Sequence, residues 1–283
     1  SMNKKIKIVF VISAALFFLV MVLPVQQALY NVSYPVYRNF QQSRIVSNIS
    51  GYLSRETENF TIRYTLGDGD IVDMVEEAAQ QHFIEICRFF DYMPDGRIEI
   101  IIYPSETEMY DNLRMPSEQR AIGAYHGGTV NIISPKLWID GSHDDIREVF
   151  LTQGPVVHEI THYMVDYIAK GNFPIWFTEG ISLYMDYSLL GFEWAPGLEH
   201  ISEPIPMDEL IMYFDRHDEV LAYRQSFLIV KGIVDNYGRV RLLDILKELG
   251  SGTDFKSAIR NVLGMEVYML NDLVRVTDGW TEN

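Results

Sequence analysis

The chain is predicted to fold as an α+β protein of two lobes, a mixed sheet with helices followed by an all-helical half. Three observations predict this. Segments with strand patterning all lie before residue 135, and from residue 144 onward the apolar spacing is helical. At the junction, the helix in "GPVVHEITHYMVDYIAKGN" (154–172) is apolar nearly all round, yet His158, Glu159, His162 and Asp166 run along one edge of it. With 283 residues, 48% of them apolar, the chain can bury a sizeable core. Its one cysteine, Cys87, excludes a disulfide framework, a multi-cysteine metal site and a lipoprotein anchor, and in "HFIEICRFF" it reads as core packing.

The N-terminal stretch "NKKIKIVFVISAALFFLVMVLPVQQALY" puts three lysines before an apolar run from Ile8 to Val25 broken only by Ser13 and Pro24. It reads as a signal peptide or membrane anchor over residues 1–29. The anchor is preferred, because cleavage after Ala28 would place the bulky Gln26 where a small residue is wanted. The lysines orient the N-terminus to the cytoplasm and the rest outside it, anchored in the cell membrane or secreted if cut near Ala28. The formal charge is −16, and since residues 1–28 hold three lysines and no acid, the exported part stands near −19. Nucleic acid is excluded as a partner.

Residues 30–57 are assigned to a helical stalk, with the helical pattern running from Val36 to about Leu53. The sheet lobe, 58–170, begins with strand-like "NFTIRYTL" (59–66) and the turn "GDGD" (67–70). A helix from Ile71 to Tyr92 follows, then a buried strand "RIEIIIYP" (97–104). "SETEMYDNLRM" (105–115) opens with Ser105 three residues before Glu108, the spacing of a capping box on a short helix. "AIGAYHGGTVNIIS" (121–134) is two β runs about Gly127-Gly128, a hairpin or a bent edge strand. Helices are expected at 144–169 and then, in a helical lobe of 171–283, at 175–190, 207–215, 221–237, 239–249, 254–262 and 266–277.

The polar edge of the junction helix reads as chemistry. His158 and His162 are four apart, so both rings project from one face and can bind one ion. Glu159 is 100° round from His158 on a helical wheel. It flanks the ion without easily ligating it, where it can take a proton from the attacking water. This H-E-x-x-H pattern is expected by chance in about one shuffled chain of this composition in a hundred. Buried without partners these groups cost several kcal/mol, roughly, and a divalent cation satisfies them together. A third ligand is needed. "NFPIWFTEGISLYMDY" (172–187) starts a helix at Pro174 and places Glu179 on its first turns, so a short turn at Gly171-Asn172 brings Glu179 back beside the histidines. Asp166, one turn beyond His162, and Asp186, seven after Glu179, are the two candidates to accept a histidine ring N–H.

The two motifs, H-E-x-x-H and "PIWFTEGIS", resemble the gluzincin metallopeptidases, and within them the peptidase MA-like group, over roughly Phe60 to Gly264. The resemblance implies a zinc-dependent peptidase with one Zn2+ on His158, His162 and Glu179, Glu159 as general base, and the hairpin at 121–134 as the edge strand that pairs with an extended peptide or protein substrate; the N-terminal segment adds the extracytoplasmic location. A further resemblance, to the single-zinc aminopeptidases of that clan, lies in "AYRQSF" (222–227) and implies that Tyr223 stabilises the oxyanion; His217 is the alternative, by likeness to thermolysin-like enzymes. Those aminopeptidases carry an acid on the edge strand that holds the substrate's amino group. Here the strand reads "GAYHGGTVN", without one, so an endopeptidase is the better expectation. Two rival readings stand beside it: a membrane-anchored module that keeps the fold without turnover, and a structural zinc site, which would need a fourth protein ligand.

Overall fold

The structure is a computed structural model that describes residues 23–116, 121–198 and 201–274. The expected N-terminal membrane helix lies largely outside these residues, and among them no helix is long and apolar enough to cross a membrane.

Five strands form one mixed sheet: β1 (Leu53–Glu56), β2 (Phe60–Tyr64), β3 (Ile98–Tyr103), β4 (Gly123–His126) and β5 (Thr129–Ile133), in the order β1-β2-β3-β5-β4. The central strands β2, β3 and β5 run parallel, and β1 and β4 close the edges antiparallel. β3, the isoleucine run, and β5 are almost wholly buried, as strands covered on both faces should be. β4 and β5 form the expected hairpin. His126 pairs with Thr129, and Gly127 and Gly128 take φ of 53° and 84°, the left-handed pair that a two-residue hairpin turn requires.

Eleven α-helices are formed by the described residues: α1 (Leu23–Asn48), α2 (Val72–Gln81), α3 (Phe83–Phe90), α4 (Glu106–Leu113), α5 (His143–Gln153), α6 (Val156–Ala169), α7 (Ile175–Met185), α8 (Met207–Tyr213), α9 (Glu219–Tyr237), α10 (Arg239–Ser251) and α11 (Phe255–Leu263). Sheet first and helices after is the order the sequence predicts. Two long helices are each interrupted. The expected helix 144–169 breaks at Gly154-Pro155: Gly154 is extended, as a residue before proline tends to be, and Pro155 opens α6, where its missing N–H costs nothing. The expected helix from Ile71 to Tyr92 breaks at His82, which has φ −115° and ψ 4°. Strand β1, unforeseen, is a charged and largely exposed edge strand whose side chains show no alternation.

The segment assigned to a stalk contains most of α1, which lies along the globular part. Ile45 and Ile49 are buried, the Asn48 amide donates to Asn112, and Asn31 approaches the carbonyls of Leu249 and Gly250 on α10. α6 packs on β4 and β5 at one side and on α7 and α10 at the other, so the core is continuous through it.

Candidate metal centre

The first two turns of α6 present His158, Glu159 and His162, and the chain then reverses through Lys170 and Gly171, with φ of 53° and 72°. Pro174 caps α7, which returns antiparallel and carries Glu179 to the histidine pair. The Nε2 atoms of His158 and His162 stand 3.2 and 3.5 Å from the Glu179 carboxylate. One nitrogen from each imidazole and one oxygen of Glu179 all fall within 4.8 Å of one another. The imidazoles are close and nearly perpendicular, 4.8 Å between centroids.

The opposite ring nitrogens are engaged as well. His158 Nδ1 is 2.8 Å from Asp186 Oδ2, and His162 Nδ1 is 2.6 Å from Thr178 Oγ1. With Nδ1–H donating to these acceptors, each Nε2 is the ring nitrogen left on the Glu179 side, where it would offer a lone pair to a cation shared with that carboxylate. Of the two candidates to orient a histidine, Asp186 does so. Asp166 does not: it accepts from Tyr34, Arg38 and Tyr125. A residue on α6 one turn beyond His162 points along the helix side toward β4 and α1, whereas Asp186 sits where α7 continues into a π-helical turn (Asp186–Leu190) and is aimed back at α6. Thr178 had no signal in the sequence beyond its position next to Glu179.

Glu159 is buried, and Gly123 of β4 lies against it: a Cβ at Gly123 would stand 2.9 Å from Glu159 Oε1 and 2.6 Å from Pro155 Cβ. Burial pushes the Glu159 carboxyl above its ordinary value, opposed by the two imidazoles and by the backbone N–H of Tyr125. Glu179 shows the reverse balance. Burial opposes its ionisation, but His162 and His158 outweigh it and hold the carboxyl well below the usual range. For His158, burial disfavours the charged ring, yet Asp186, Glu179 and Glu159 together raise its pKa well above the ordinary value.

Three buried or nearly buried carboxylates thus surround two imidazoles, and among the described residues no lysine or arginine pairs with them. Such a site calls for a cation. Two imidazole nitrogens and a carboxylate oxygen, with the acceptors behind the imidazoles in place, are a donor set that fits Zn2+, and they leave a position for solvent.

Tyr223, on α9, packs its ring 5.1 Å from Phe214 and 6.1 Å from Trp194. Burial raises its pKa far above the ordinary phenol value, and the charges of Glu179 and Glu159 add to the shift. α9 reaches this position because α7 and α9 pack very closely: a Cβ at Gly180 would run into the carbonyl oxygen of Ser226. The glycine after Glu179 and the small Ser226, one turn beyond Tyr223, are therefore the contact that sets α9 beside the site. His217 turns Nε2 to within 3.6 Å of Glu209.

A mixed sheet leading into helices thus brings two histidines and a glutamate to one point, a group that could hold a metal ion. Residues 78–277 match the Peptidase MA superfamily, and the chain belongs to it. Among curated proteins it is similar to "Uncharacterized protein YhcO" of Bacillus subtilis (strain 168), 23% identical over 263 residues that take in 84% of this chain and 74% of YhcO. Among solved structures it is similar to a point mutant of an M1 zinc metallopeptidase from Deinococcus radiodurans, at 14% identity and a TM-score of 0.41 over 82% of this chain and 54% of that one. The same mutant bound to a Tyr-Ser-Ala substrate gives 14% and 0.40, with 53% of that chain covered. The chain spans about half the length of these structures.

Proposed function

We propose that the protein is a zinc-dependent endopeptidase acting outside the cytoplasm and held at the membrane by its N-terminal segment. The observation that carries the reading is the convergence of His158, His162 and Glu179 within 4.8 Å, with Glu159 on the next helical position. The three hold one Zn2+. When bound, zinc polarises the scissile carbonyl and acidifies water.

Glu159 takes the proton as the water oxygen bonds to the carbonyl carbon, and returns it to the amide nitrogen as the C–N bond breaks, leaving a carboxylic acid and an amine. Tyr223 remains protonated through the physiological range, and its hydroxyl donates to the carbonyl oxygen as negative charge develops there. β4 is an edge strand. By the alternation of an antiparallel pair, in which Ile122 accepts from Ile133, the backbone groups of Gly123 and the carbonyl of Tyr125 face the open side, the Tyr125 N–H being held by Glu159. An extended peptide pairs there and is drawn past Glu159. β4 carries no acid to hold a substrate amino terminus, which favours cleavage within a chain. The lysine-flanked apolar run Ile8–Val25 supports the location.

Digestion of an unbiased peptide library by the full chain, with and without a chelator, tests the reading. Cleavage that stops on chelation, returns with Zn2+ and disappears in Glu159→Gln while that variant keeps its zinc is the expected result. A zinc-loaded chain that cuts no sequence would instead be a binding module with the same fold.

A further inference from the structure

We propose that helix α1 is a working part of the site: Arg38 and Tyr34 hold Asp166, Asp166 holds Tyr125, and the position of edge strand β4 against Glu159 is set through this latch. The inference rests on the peptidase reading for its kinetic consequence, though not for its structural one. Asp166 is 1% exposed and accepts three hydrogen bonds, from Tyr125 Oη at 2.6 Å, Tyr34 Oη at 2.8 Å and Arg38 Nη1 at 3.2 Å. Three elements, α6, β4 and α1, are therefore joined at one carboxylate that the mechanism does not use. Burial first, and Asp166 second, raise the pKa of both phenols far above the ordinary value, so both remain donors.

The same contact is braced from the sides. The Arg38 guanidinium lies 3.4 Å over the Tyr167 ring, Tyr167 stacks on Tyr163 at 4.0 Å, and Tyr163 meets the Tyr125 ring edge-on at 6.1 Å. Further along α1, the Gln42 amide donates to the Gly128 carbonyl, and a Cβ at Gly127 would stand 2.6 Å from Gln41 Cβ. α1 thus grips the β4–β5 hairpin at its turn and, through Asp166, at its middle. The strand so held carries Gly123 and Tyr125, which lie on Glu159 from the other side. A buried carboxylate that loses one donor is left partly unsatisfied and drives a rearrangement, so the strand loosens when any arm is cut.

The full-chain variants Tyr125→Phe and Arg38→Gln, with Arg38→Lys as the charge-conserving control, are compared with wild type by amide hydrogen exchange, zinc content and steady-state kinetics on a peptide from the library digestion. In the first two, exchange at 123–126 is expected to accelerate about tenfold or more, the measure of a lost charge-assisted hydrogen bond. Zinc content stays at the wild-type level, KM rises by a larger factor than kcat falls, and Arg38→Lys recovers part of both effects. Unchanged exchange at 123–126 in both variants overturns the latch. So does faster exchange with KM unaltered, because a purely stabilising contact behaves that way. If the wild type cuts no peptide and exchange at 123–126 still accelerates, the latch stands and the peptidase reading is what fails.

Discussion

Thr178 Oγ1 lies 2.6 Å from His162 Nδ1, across the gap between two antiparallel helices. Thr178 precedes Glu179 directly, so a single turn of α7 supplies both a carboxylate for the cation and the acceptor that fixes the facing imidazole. An imidazole without such a partner samples the wrong tautomer and orientation, which typically costs about 10–100-fold in metal affinity. Thr178→Val, of nearly the same volume, is expected to weaken zinc binding by about tenfold and leave the fold intact. Asp186→Ala, which removes a charged acceptor, is expected to weaken it more. Competition titration against a chelator checks both, and an unaltered zinc Kd in Thr178→Val would refute the role.

The reading from sequence succeeded where local periodicity decides the outcome and failed where tertiary contact does. His158 and His162 share a face because a helix turns every 3.6 residues, and no other part of the chain has to be known for that. The return of Glu179 needed only a turn and a helix start, both marked by Gly171 and Pro174. Periodicity put Asp166 and Asp186 on equal terms. Only the packing of α1 and β4 against α6 shows that the first is claimed by Tyr34, Arg38 and Tyr125. The break at Gly154-Pro155 was written in the sequence and outweighed by the apolar pattern on either side. The break at His82 carries no glycine or proline to announce it, and β1 pairs with its neighbour while exposing charged side chains to water.

Gly180→Ala probes the contact between α7 and α9. Its new methyl group meets a backbone oxygen, that of Ser226, which cannot rotate away as the end of a long side chain can. The helices must separate, and overpacking of this kind costs about 1–3 kcal/mol. Urea unfolding of the metal-free chain should show an unfolding free energy lowered by that amount, read as a lower midpoint at unchanged slope, and an undiminished midpoint would mean that the helices part without strain.

Tyr223→Phe separates the hydroxyl from the packing. The ring keeps its contacts with Phe214 and Trp194, so stability and zinc content are expected to hold. Loss of one donor to a developing oxyanion lowers kcat by about 100–1,000-fold. The companion His217→Ala should leave kcat within a factor of about three, since His217 faces Glu209 and its loss removes no such donor. The opposite pattern would transfer the oxyanion role from Tyr223 to His217.

Gly123→Ala tests the base without touching it. The backbone of Gly123 is not in the left-handed region, so alanine brings no conformational penalty there, only its methyl group. That methyl would sit 2.6 Å from Pro155 Cβ and 2.9 Å from Glu159 Oε1. Pro155 cannot yield, because its ring is locked into the backbone that opens α6; the Glu159 side chain or strand β4 must move instead. The contacts of His158, His162 and Glu179 join α6 to α7 and include no residue of β4, so zinc should remain bound. A displacement of about 1 Å at a reacting group costs on the order of 100-fold in rate, and kcat for library-derived peptides should fall by about that factor while zinc stoichiometry is unchanged. Full activity in Gly123→Ala would mean that Glu159 works from another position than the one beside β4, and the assignment of proton transfer to this carboxylate at this place would have to be given up.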